Sequence, residues 1–231
     1  MKIKNILLSL AFFNCVYAAP YDWHTASGNS YNIYETFEWA PQSKENKKPG
    51  TLFLISYQTH VTDKNDAGKF LAECNDILTH YYYFYLPEIR KKMSFNEKKN
   101  HHVVIRAFFK KPEEGKQYQS VNFTQSINGI EKIAKENKNI DAHRLEGLKF
   151  LSSGMVGDAA GAFEKIETKN AHDYVVLGET FHRAKKFPDA IKYYELALKS
   201  WQSRDLASVK KDQQVKDIKA QLKRAQQNKP L

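Results

Sequence analysis

The sequence predicts an α+β protein in which a small mixed α/β domain precedes an all-helical array. Three observations carry this. Between residue 31 and about residue 138, extended and helical patterns follow one another. From Asp141 onward the apolar spacing is helical throughout. Within that helical stretch, residues recur in pairs separated by one fixed interval.

The N-terminal residues MKIKNILLSLAFFNCVYAAP place Lys2 and Lys4 ahead of a short apolar run. The run ends in Val16-Tyr17-Ala18, small enough for a signal peptidase to read. Residues 1–18 are therefore expected to be a signal peptide cleaved near Ala18, leaving a periplasmic or extracellular chain with no transmembrane segment. A lipoprotein would use Cys15, but Phe12-Phe13-Asn14 lack the small residues that such processing prefers. Cleavage lowers Lys plus Arg from 36 to 34 against 26 Asp plus Glu, leaving about +8. In an exported protein that charge favours solubility or attraction to an anionic envelope surface, and nucleic acid is not an expected partner.

Cysteine usage limits how the mature chain is held together. Only Cys74 survives cleavage, so an internal disulfide is excluded and apolar burial must stabilise the fold. Cys74 falls in step with Phe70, Ile77, Leu78 and Tyr81, which places the thiol on a buried helix face.

Residues 19–138 read as the α/β domain. Ile33, Phe37 and Trp39 alternate with Tyr34, Thr36 and Glu38, the pattern of a half-buried strand. Residues 51–59 (TLFLISYQT) form a more fully buried strand, joined to the first through NKKPG at 46–50. HVVIRAFFK, at 102–110, is a third. A helix is expected over 67–93, broken by Pro87, with an apolar face wide enough to lie between two layers. Its HYYYFY segment, 80–85, is either packing or an aromatic platform. A further amphipathic helix is expected over about 124–138, with Ile127, Ile130, Ile133 and Ala134 on one face.

In the remainder, 139–231, five pairs lie 31 residues apart: Gly147 and Gly178, Phe150 and Phe181, Asp158 and Asp189, Ala159 and Ala190, Phe163 and Tyr194. A mid-helix glycine costs about 1 kcal/mol relative to alanine. Its repetition predicts a neighbouring helix in close approach, with Ala159 and Ala190 as the matching small contacts and the aromatics filling the groove beside them.

The segment DYVVLGETFHRAKKFPDAIKYYELAL resembles the tetratricopeptide repeat family. Tyr174, Leu177, Gly178 and Phe181 match its first helix, and Ala190, Tyr194 and Ala197 match its second. HRLEGLKFLSSGMVGDAAGAFEKI keeps Gly147, Phe150, Ala159 and Phe163 but carries His143 and Glu146 where the family favours large apolar residues. The resemblance covers two repeats, about 141–170 and 171–202. Two repeats need covering at both ends. A C-terminal capping helix is expected at 203–228, through Leu206, Val209, Val215, Ile218, Leu222 and Ala225, with the N-terminal domain at the other end.

The resemblance implies a protein or peptide ligand on the face made by the first helices. At matching positions that face comprises Arg144, Leu148, Val175, Glu179, His182 and Arg183. Members that clamp a C-terminal carboxylate use lysine and asparagine where Val175, Glu179, Arg144 and Leu148 stand, so that ligand is not implied. The alternative reading is that the repeats serve only as a brace.

No catalytic residue, metal ligand or cofactor motif is assigned. HExxH, cysteine pairs, GxSxG and phosphate-binding glycine loops do not occur. The expected function is an exported, non-enzymatic adaptor or assembly factor. The alternative is a hydrolytic or ligand-binding α/β domain scaffolded by the repeats; it would require Asp22, His24, His60 and His101 to converge in one pocket.

Overall fold

A computed structural model describes residues 22–39, 51–63, 65–92, 100–110, 119–202 and 211–231. The signal segment, the NKKPG turn, Met93, Leu206 and Val209 lie outside them. The fold is α+β: among the described residues five strands form one sheet, and the C-terminal half is helical. The strands are β1 (Asp22–His24), β2 (Ser30–Trp39), β3 (Thr51–Gln58), β4 (His101–Phe108) and β5 (Ser120–Ser126), in that spatial order.

Neighbouring strands are antiparallel except β3 and β4, which run parallel from Thr51 opposite His101 to Gln58 opposite Phe108. A parallel pair needs a long crossover. It is supplied by α1 (Ala67–Phe84) and α2 (Leu86–Lys92). Asp66 caps α1 by accepting from the Lys69 N–H, and Tyr85 ends it. Pro87 is the second residue of α2, in the first turn, where a missing N–H costs nothing.

β4 buries His101, Val103, Ile105 and Ala107 alternately, facing Phe53, Ile55 and Tyr57 of β3 and the α1 residues Cys74, Ile77, Leu78 and Tyr81. Full burial of each large aliphatic residue stabilises the fold by about 1.5–3 kcal/mol before entropy is counted. Burial raises the Cys74 thiol pKa to about 12, with the Glu73 charge adding to the effect.

The helix expected from about residue 124 begins later. Residues 120–126 are strand β5, and α3 (Ile127–Glu136) starts after Ser126, whose hydroxyl accepts from the Gly129 N–H. Phe123 explains the difference. It lies opposite Ile105 and packs on the sheet core, so strand pairing overrides the helical spacing.

The C-terminal half comprises α4 (Ala142–Ser152), α5 (Val156–Glu164), α6 (Ala171–Arg183), α7 (Phe187–Gln202) and α8 (Lys211–Gln226). Its close contacts repeat. A Cβ added at Gly147 would lie 2.5 Å from the Phe163 ring, and one added at Gly178 would lie 2.6 Å from the Tyr194 ring. The glycines therefore make room for the aromatic residues of the second helices; the expectation had paired them with the alanines.

Ile218 and Ala225 of α8 are buried against Ala190, Tyr194, Ala197 and Trp201. At the other end, Ala26 and the α1 residue Phe84 join the core of α4 and α5. The wide face of α1 thus serves two cores. Within HYYYFY, His80 and Tyr81 are buried and the other four are half-buried, several in ring contacts with Trp23, Phe53 and one another. Among the described residues, no helix is long and apolar enough to cross a membrane.

Candidate functional site

The turn at residues 25–29, between β1 and β2, lies where the sheet half meets the helical half. It closes on itself through Thr25 N–H to Asn29 C=O (3.0 Å) and Gly28 N–H to Thr25 C=O (2.9 Å). Gly28 has φ +87°, and an added Cβ would lie 2.7 Å from Asn170 Nδ2, so glycine serves both conformation and space.

One carboxylate of α1 holds the turn from the sheet side. Asp76, only 5% exposed, accepts at Oδ2 from Thr25 Oγ1 (2.9 Å), Ser27 Oγ (2.6 Å), Asn29 Nδ2 (3.0 Å) and Tyr31 OH (3.0 Å). Three residues before it, Glu73 accepts at Oε2 from Tyr57 OH (2.8 Å) and Thr59 Oγ1 (2.6 Å), and at Oε1 from the His60 N–H (2.9 Å). Burial raises the pKa values of Tyr31 and Tyr57, and the adjoining carboxylates raise them further. Both phenols remain donors at any physiological pH.

The helical half holds the turn from its other side. The Ala26 carbonyl accepts from the Asp141 N–H (2.9 Å) and Arg144 Nη1 (3.4 Å), and the Gly28 carbonyl accepts from Asn170 Nδ2 (2.7 Å). Arg144 grips Asp173 with two 2.8 Å bonds, and Asp173 also caps α6 by accepting from the Asn170 N–H. Asp173 is fully buried. Burial alone would raise its pKa, but Arg144, His24 and the Asn170 N–H more than offset it and hold the carboxyl well below its ordinary range.

Between the turn and α1 lies a pocket of about 250 Å³. Ser27, Asn29 and Tyr31 form one wall, Lys69, Ala72, Glu73 and Asp76 another, and His60 and Val61 a third. The His60 ring stacks on Tyr31 with centroids 5.5 Å apart, and its Nδ1 lies 3.9 Å from Glu73 Oε1. The Lys69 ammonium is turned to Asp66 at 2.8 Å.

The residues weighed for a catalytic or metal site occupy separate surroundings. His60 lines the pocket. His24 is buried beside the helical half, with Nδ1 bonded to Ser30 Oγ, Nε2 3.8 Å from Asp173, and its ring on His172. His101 is buried in the sheet core against the Tyr81 hydroxyl (2.8 Å), and its pKa falls to about 4 through burial, helped by the charges of His102 and Arg90. Asp22 pairs through its backbone with Asn32. No group of three or more His, Cys, Asp or Glu among the described residues is placed to hold a metal ion.

The residues assigned to a partner-binding face divide in two. Arg144 and Leu148 are buried, and His182 is enclosed between the Tyr194 hydroxyl (3.2 Å) and the Lys229 carbonyl (2.7 Å). The polar atoms of Arg144 and His182 are thus engaged inside the molecule. Val175, Glu179 and Arg183 are half-buried, and Glu179 accepts from Gln221 of α8 (2.9 Å).

Sequence reasoning passed over Glu73 and Asp76. Their signal was two acids one helical turn apart, flanked by Phe70, Cys74, Ile77 and Leu78. A comparison with protein-family models, curated proteins and solved structures finds no match to the chain.

Proposed function

We propose that the protein is an exported, non-enzymatic adaptor or assembly factor that engages another protein or a peptide segment in the periplasm or outside the cell. The tetratricopeptide-type helices act as a brace, and the pocket beside α1 is the point of recognition. One observation carries this reading: the turn that forms the pocket wall is held by Asp76 on one side and by Asp141, Arg144 and Asn170 on the other. A wall fixed before binding loses little entropy when a partner docks. Engagement of Arg144, Leu148 and His182 within the molecule favours the brace role over a groove on the first helices.

Crosslinking of the mature chain in its native compartment tests the proposal. A photo-crosslinker at Ala72, on the pocket wall, is expected to capture a discrete protein. A crosslinker at Val175 on α6 is expected to capture little. Capture from Val175 alone would return recognition to the repeats, and capture from neither would reject the adaptor.

A hydrolytic or ligand-binding role is favoured only by the 3.9 Å approach of His60 to Glu73, with the Ser27 hydroxyl in the same pocket. That arrangement lacks the nucleophile-to-base hydrogen bond that acyl transfer requires, because Ser27 donates to Asp76. Ester and peptide hydrolysis that survives Ser27→Ala and His60→Gln would dispose of this second reading.

A further inference from the structure

We infer that the pocket beside α1 binds one organic cation, an ammonium or guanidinium group carried on an apolar stem. The inference rests on the pocket being the recognition site, and adds the chemistry that it recognises.

The two carboxylates of the pocket accept several hydrogen bonds, yet among the described residues neither is hydrogen-bonded to a cationic side chain. The Arg144 guanidinium is taken by Asp173 with two bonds, and the Lys69 ammonium is drawn off to Asp66. The imidazole of His60 stands 3.9 Å from Glu73. All four donors to Asp76 converge on Oδ2, so Oδ1 of this 5% exposed side chain accepts no hydrogen bond among the described residues and lies on the pocket wall. That oxygen is open to the pocket, where a donor on a ligand can meet it.

The remaining walls suit the stem of such a ligand. Val61 and Ala72 offer apolar contact, and the exposed His60 ring, stacked on Tyr31, offers an aromatic surface to a cation or its methylenes. The volume of about 250 Å³ suits a side-chain-sized ligand. An anion would meet Glu73 and Asp76. A bare metal ion would leave the aromatic and apolar walls unused.

Calorimetric titration of the mature chain with n-pentylamine, n-butylguanidine and the neutral 1-hexanol tests the inference. For probes of this size, binding in about the millimolar range is expected for the two cations. The alcohol is expected to bind at least about tenfold more weakly, because it brings no charge to the carboxylates. Ala72→Arg, at an exposed helix position, places a guanidinium in the pocket. It should abolish cation binding while leaving Tm unchanged. Glu73→Gln should weaken binding by about tenfold or more.

The inference is overturned if neither cation binds, if hexanol binds equally well, or if Ala72→Arg leaves binding intact. Should Glu73→Gln unfold the chain, Ala72→Arg decides alone. Peptides with lysine or arginine at one end, set against the free amines, distinguish a protein partner from a small-molecule source. Amine binding without any crosslinked protein would reject the adaptor and keep this inference; a crosslinked protein without amine binding would do the reverse.

Discussion

Replacing Arg144 by methionine leaves Asp173 buried at 0% exposure with its two 2.8 Å bonds gone. Methionine approximates the stem volume, so the cost is mostly electrostatic. Removing one member of a buried ion pair costs about 3–5 kcal/mol, because the remaining charge is left uncompensated. At about 2–4 °C per kcal/mol for a chain of this size, Tm should fall by about 6–20 °C. The assay is urea unfolding at pH 7 followed by circular dichroism, with a thermal scan beside it. Arg144→Met with Asp173→Leu should recover most of the loss. About 1 kcal/mol should remain, since Asp173 also completes the cap on α6. The sign with pH is fixed by the lowered Asp173 pKa. Its contribution is present above the unfolded value of about 3.9 and disappears as pH falls below it, so variant and wild type should converge in acid. A single-variant loss under about 1 kcal/mol, or a double variant as unstable as the summed singles, would refute the role of the pair.

His80 is 4% exposed, and burial, with the His24 charge, lowers its pKa to about 3. The unfolded chain takes the proton first, so stability is full above about pH 6.5 and falls by about 2 kcal/mol from His80 by pH 5; His80→Phe should flatten that limb of a denaturation-versus-pH curve. Gly147→Ala forces a Cβ against the Phe163 ring. It should cost about 1–2 kcal/mol net of improved helix propensity and be relieved by Phe163→Leu, an outcome that thermal unfolding of the three variants reads directly. Cys74, with its thiol pKa raised to about 12, should react with a thiol reagent only after unfolding. Rapid labelling of the native chain would count against its burial.

Local pattern made much of this architecture legible. Alternation located β2, and β-rich apolar runs located β3 and β4, because both signals are visible in a strand without knowing its partners. The 31-residue echo located α4 to α7 because Gly147 and Gly178 are each constrained by a single aromatic residue 16 positions later. β5 escaped notice because its stability comes from pairing with β4, a long-range property, while its last residues also fit the helical spacing of Ile127 and Ile130. The pocket escaped for a related reason. Asp76 becomes meaningful only when residues 25–31 fold across α1, about fifty residues back along the chain, and Glu73 only when Tyr57, Thr59 and His60 close on it. Arg144 was visible as a first-helix residue, but its partner Asp173 belongs to the next hairpin, so its role as an internal tie was not.

The turn at residues 25–29 also bears on cooperativity. Its side chains belong to the hydrogen-bonded set of α1, and its carbonyls to those of α4 and α6. Opening either half strands donors or acceptors of the other, so neither half has a low-energy route to unfolding alone. A protease acting on rare open forms should therefore meet the whole chain unfolded at once, and release neither the sheet nor the helical array as a surviving fragment.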